Sequence, residues 1–148
     1  MIVRDGTEED FSTCIGFGYK FFQFTKYKDI PYDGESVRRM LEGLTENGLF
    51  IVATHNGEVI AMAGAIIAPA YFNNAYLVGA EVFWWVEPEY RDSGVGGLLL
   101  TTLERKAKNE GVHFWSMMIL EGVEVEKSIA IYKKLGYEPA ERTFMKIL

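Results

Sequence analysis

Cysteine is almost missing from this chain. Cys14 is the only one in 148 residues, so no internal disulfide can staple the fold, and a chain of this length holds its core by packing alone. A lone thiol also suits a reducing compartment. Histidine is nearly as scarce: His55 and His113 lie far apart, and with Cys14 they make no metal-ligand spacing, so no metal is expected. Long apolar runs are lacking too. The longest, residues 59–71, contains Pro69 and is too short to span a bilayer. Asp5, Glu8, Glu9 and Asp10 follow the first residues at once, which leaves no room for a secretory apolar stretch there and makes a soluble cytoplasmic protein the expectation. Positive charge is in deficit, 15 Lys and Arg against 21 Asp and Glu. The net charge of −6 argues against coating nucleic acid and is compatible with a cationic or amine ligand.

What is present reads as one globular domain over residues 1–148, with 49% hydrophobic and 24% charged residues and no repeat or linker. Residues 2–4 suit a short strand, and Thr7 caps a helix whose first turn is acidic. Gly16 and Gly18 weaken that helix. Residues 19–28 interleave aromatics with lysines, a pattern read here as core cover with the lysines turned outward, in preference to base stacking. Asp33 caps a second helix with Val37, Met40, Leu41 and Leu44 as its apolar stripe, ended by Gly48. Residues 49–54 and 58–67 are β-branched and apolar, and Asn56-Gly57 between them marks a hairpin. Residues 75–86 supply a further strand or strand pair. A helix over 98–110, a strand over 113–120, a helix over 128–135 and a last strand over 142–148 complete the order.

The chain is organised around residues 82–100, where an apolar strand ends at Pro88 and a glycine-rich turn opens a helix. Gly94, Gly96 and Gly97 remove side chains where a ligand can lie against the main chain, and the helix start offers unpaired N–H groups. Such a turn is a backbone-built anion site. A dinucleotide fingerprint would need glycine where Leu99 stands, and a Walker loop would need Lys-Ser or Lys-Thr where Leu98 and Leu99 follow Gly97.

Arg91-x-x-Gly94-x-Gly96, directly after a strand ending Val86-x-Pro88-x-Tyr90, resembles the acyl-CoA signature (Q/R)xxGx(G/A) of the GNAT superfamily of N-acetyltransferases. Residues 129–137, Ile-Ala-Ile-Tyr-Lys-Lys-Leu-Gly-Tyr, resemble the second signature of the same superfamily, and the element order matches along the whole chain. The resemblance implies an α/β fold with a mixed, mostly antiparallel central sheet flanked by helices and splayed between strands four and five, near residues 81–86 and 113–120. It implies acetyl-CoA as co-substrate and no metal. The pyrophosphate would rest on main-chain N–H groups of Arg91, Asp92, Ser93, Gly94, Val95, Gly96 and Gly97. Pantetheine would pair along Trp84, Trp85 and Val86, with an N–H near Trp85 or Val86 holding the thioester carbonyl.

By the same resemblance Tyr132 corresponds to the tyrosine that protonates the departing thiolate, its alternative role being to pack between helix and sheet. Glu81 corresponds to a glutamate base, with Glu121 and Glu124 as rivals; each is equally readable as a solvated strand or loop residue, and many members of the superfamily have no dedicated base. Lys133 and Lys134 read as solvated surface. One departure stands out: where relatives often carry Asn before the tyrosine, this chain has Glu124-Val125-Glu126, an acidic stretch suited to face a cationic acceptor. The implied activity is direct transfer of acetyl to a primary amine in a ternary complex, since Cys14 lies away from both motifs. The alternatives are a non-catalytic acyl-CoA-binding module and a nucleic-acid-directed acyltransferase. No membrane and no nucleic acid partner are expected, a homodimer is a family-level expectation, and the aromatics of residues 19–27 and 71–76 suggest an acceptor cleft with apolar walls.

Overall fold

The computed structural model describes residues 1–148. In chain order it contains β1 (Ile2–Asp5), α1 (Phe11–Phe22), α2 (Gly34–Asn47), β2 (Leu49–His55), β3 (Glu58–Ala70), β4 (Asn73–Val86), α3 (Val95–Asn109), β5 (Val112–Ser116) and α4 (Val125–Lys134), with short 3-10 turns at Glu8–Asp10, Lys26–Asp29 and Pro88–Tyr90. The five strands lie in the order of the sequence, antiparallel from β1 to β4, with β5 parallel to β4. The parallel pair needs a crossover, and α3 supplies it.

Period-two alternation sorts the core into two layers. Leu49, Ile51, Ala53, Ala61, Ala63 and Ala65 face α3, where Val95, Leu99, Leu103 and Ala107 close over them. Phe50, Val52, Met62, Phe83 and Trp85 face α1 and α2, meeting Phe11, Cys14, Phe17, Leu41 and Leu44. Alanines on the α3 side of β3 let that helix approach the sheet closely.

Local chemistry sets the boundaries. The Thr7 amide donates to Asp10 (2.8 Å), and Asp10 also takes both Arg4 guanidinium nitrogens at 2.7 and 2.8 Å, pinning the start of α1 to β1. Gly16 and Gly18 do not stop α1; a Cβ on Gly18 would stand 2.6 Å from the Tyr32 hydroxyl, which donates to the Ile15 carbonyl (2.7 Å). β3 runs on through Pro69 because β2 stops opposite Ala65, so the missing amide faces no neighbour. The expected strand over 142–148 does not form. Its residues belong to no ladder and are exposed, since strand propensity is realised only where a neighbouring strand supplies pairing. β5 likewise ends at Ser116, four residues before the expected end, because β4 has turned away from it.

Candidate active site

The opening in the sheet follows from the register of β4. Its pairing with β5 runs from Leu77 opposite Val112 to Ala80 opposite Ser116 and then stops. One residue further a β-bulge interrupts the β3 ladder: Ala65 faces Glu81, Gly64 faces Phe83, and Val82 is left over. Val82 and Phe83 consequently pack on the same side of the sheet, and the strand bends there. From Glu81 to Val86, β4 keeps β3 on one edge and has no strand on the other. The Glu87 amide bonds the Ile60 carbonyl (3.0 Å), which fixes the parity. Glu87, Trp85 and Phe83 address β3, while Trp84 and Val86 turn their N–H and C=O groups to the open edge. Arg91 agrees with this, its Nε donating to the outward Val86 carbonyl (3.1 Å).

Trp85 therefore stands apart from the other expected cofactor residues. Its amide faces β3, its ring is 6% exposed in the α1–α2 layer, and its Nε1 donates to Glu87 (3.0 Å). The guanidinium of Arg91 lies 5.0 Å above that ring, so the side chain folds back on β4 and leaves the turn to the backbone.

The glycines sit one step deeper than the sequence suggests, inside the first turn of α3. Gly94 precedes the helix at φ 84°, a left-handed conformation glycine adopts at little cost, and a Cβ there would meet nothing. The first helical bond is from the Leu98 amide to Gly94, and Ser93 Oγ takes the Val95 amide (3.4 Å). The amides of Asp92, Gly94, Gly96 and Gly97 have no partner. Four free donors at a helix start, with open space in front of Gly94 and Gly97, form a candidate anion site. Val95 is buried beneath as the anchor, and a Cβ on Gly96 would stand 3.2 Å from the Trp84 ring and 3.6 Å from Val86, so this turn rests on the open edge of β4.

At the other end of that edge the two candidate acid–base residues meet one another's neighbour. Glu81 is 5% exposed, and its Oε2 accepts the Met118 amide (3.2 Å). Tyr132 is 8% exposed, and its hydroxyl donates to the Met118 carbonyl (2.9 Å). Its ring lies 6.3 Å from Trp84. Burial pushes the Glu81 carboxyl up to about 7, the Met118 amide offsetting this only in part. Burial and the Glu81 charge both push the Tyr132 phenol up, so it stays protonated through the neutral range. Burial pushes the Cys14 thiol up to about 12, which leaves it inert.

Two contributors escaped sequence reasoning. Met118 acts through its main chain, for which residue type gives no signal. Lys127, in the first turn of α4, reaches Asp92 of the glycine turn (3.7 Å) and Glu124 (3.4 Å); its place beside the acidic stretch was the available cue. Glu124 holds φ 43° before α4, Glu121 is exposed, and Lys133 and Lys134 are exposed in the last turn, away from these pairs. His55 packs on Tyr90, and His113 on Tyr76 and Phe114.

Comparison with known proteins identifies the family and the fold. The model of the Acetyltransferase (GNAT) family matches residues 16–137. An acetyltransferase of Pectobacterium atrosepticum is 26% identical over 143 residues, 95% of this chain and 90% of that protein. Among solved structures, an acetyltransferase of Trypanosoma brucei superposes with a TM-score of 0.76 at 23% identity, covering 99% of both chains. A predicted acetyltransferase of Clostridium acetobutylicum, solved with acetyl-CoA, superposes at 0.75 and 17% identity, covering 99% of this chain and 95% of that one. The chain belongs to the Acetyltransferase (GNAT) family, and is an acyltransferase.

Proposed function

We propose that the protein transfers acetyl from acetyl-CoA directly to a primary amine, with both substrates bound at once. The observation that carries this is the alignment, along one open strand edge, of a free-amide cradle at one end and the Glu81–Met118–Tyr132 cluster at the other. The residues fit acetyl-CoA on three counts: unpaired amides of Asp92, Gly94, Gly96 and Gly97 for a pyrophosphate, outward amides of Trp84 and Val86 for an added extended chain, and no side chain filling the space before Gly94 and Gly97. When bound, the co-substrate supplies an activated acyl group and a thiolate leaving group.

This chain's residues would divide the work by protonation state. Glu81, with its carboxyl pushed up to about 7, is suited to take a proton from the acceptor's ammonium, directly or through water, which frees the amine lone pair to attack the thioester. Tyr132 remains a phenol and is suited only to donate; turning its proton from the Met118 carbonyl to the leaving sulfur needs a rotation about the C–O bond. The parity of β4 favours Trp84 or Val86, not Trp85, as the amide that holds the thioester carbonyl, a contribution of about 3 kcal/mol to a developing oxyanion. The inert Cys14, buried in the α1–α2 layer, supports direct transfer over an acyl-enzyme.

Initial-rate kinetics with an amine panel test the reading. Intersecting double-reciprocal lines are expected. Parallel lines would replace it with a covalent route, and acetyl-CoA binding without turnover on any amine would favour a non-catalytic binding module.

A further inference from the structure

Resting on that reading, we infer that the amine acceptor carries an acidic oxygen group, phosphate or carboxylate, held by Lys26 and Lys28. These lysines lie on the 3-10 turn Lys26–Asp29 and, with Asp29, Met145 and Ile147, line a cleft of about 390 Å³ between that turn and the last residues of the chain. The lysine ion pairs of the molecule belong to Lys20, Lys106 and Lys127, so Lys26 and Lys28 have no carboxylate partner. Asp29 opposes them on the same lining and leaves a surplus of one positive charge, enough for one acidic group. In a chain of net charge −6, two lysines without carboxylate partners on one cleft favour an acidic group there.

The cleft adjoins the end of α1, which covers the face of β4 opposite the glycine turn. The glycine turn lies against Trp84 and Val86 on the α3 side of β4, so acetyl-CoA takes that side. The opposite side of the same stretch is covered by the end of α1: the Phe21 and Phe24 rings lie 6.5 and 6.0 Å from Trp85, and Lys20 bonds Glu87 at 2.7 Å. Lys26 and Lys28 are two and four residues past Phe24, which keeps their Cα atoms within about 7 and 14 Å of its Cα at full extension. Half-exposed Phe24 and Tyr27 supply apolar wall beside the charges, and an acceptor anchored there by its acid directs its amine toward β4.

Calorimetry on the CoA-saturated protein tests this with matched pairs: ethanolamine and O-phosphoethanolamine, glucosamine and glucosamine 6-phosphate, glycinamide and glycine. The acidic member of at least one pair is expected to bind tenfold or more tighter than its neutral twin. The advantage should shrink with added salt and vanish in a Lys26→Gln/Lys28→Gln variant whose unfolding temperature is unchanged. The phosphate and carboxylate pairs tell which acid is meant. Equal binding within every pair, no binding of any member, or a preference that survives in the double variant overturns the inference while leaving acetyl transfer intact. The preceding titration with CoA reads the functional proposal separately, since its failure removes both.

Discussion

Glu81 sits where water cannot solvate a charge, and its single hydrogen-bond donor is the Met118 amide. With its carboxyl pushed up from its ordinary 4.5 to about 7, the fold favours the neutral form. Its contribution to stability is fully present below about pH 4.5 and is lost as pH rises through about 7, a change on the order of 3 kcal/mol. As the proposed base, Glu81 has to be ionised, so activity is expected to move the opposite way. The rising limb of kcat/KM against pH is therefore expected near 7, and Glu81→Gln should abolish that limb while flattening the fall in chemical stability between pH 4.5 and 7. A limb that persists in the variant assigns the titration elsewhere. Tyr132→Phe keeps the ring against Trp84 and loses only the hydroxyl. It should lower kcat by about 100-fold with acetyl-CoA affinity unchanged, as read by steady-state rates and calorimetry together. Tyr132 was singled out by its place in the second motif, and Glu81 by its position at the start of the fourth strand, with Glu121 and Glu124 as rivals. The junction of Tyr132 and Glu81 at Met118 was not legible, since it depends on where a main-chain segment falls after β5.

β4 is the element that opens the sheet, and its features were legible from sequence in different degrees. Its strand character was plain from Val82 to Val86. The bulge at Val82 was not, because two successive apolar residues read as a buried strand as easily as an extra residue. Gly79 lies in the last paired stretch, where a Cβ would come 2.7 Å from the Trp115 ring. Gly79→Val should cost about 2 kcal/mol in chemical unfolding by pushing β5 from β4, and a neutral result would contradict this packing. α4 carries its own cost, since Glu124 holds φ 43° before its first turn. Glu124→Asn, which tolerates that conformation better, should stabilise by on the order of 1 kcal/mol in the same assay. The strand expected over 142–148 shows the limit of local pattern: alternation names a candidate strand, and only a partner edge makes it one.

Across the molecule, two cores of opposite facing clamp one sheet, and the site lies along the edge that neither core covers. The apolar stripe of α2 was readable because helical spacing survives in a single sequence, and Leu41 and Leu44 of that stripe are buried in the α1–α2 layer. Lysine placement was not readable, since charge totals say nothing of location: an acidic chain sets Lys127 beside the glycine turn and leaves Lys26 and Lys28 unpaired in a cleft. The claim joining these features is that the turn from Asp92 to Gly97 binds acetyl-CoA through its amides. Isothermal calorimetry with acetyl-CoA, on wild type and on Gly97→Glu, tests it most directly. A Cβ at Gly97 meets nothing, so the variant should keep its unfolding temperature while setting a negative charge before the free amides. The account predicts saturable one-to-one binding by the wild type and at least a tenfold loss in the variant. No binding by the wild type, or equal affinity in both, would contradict it.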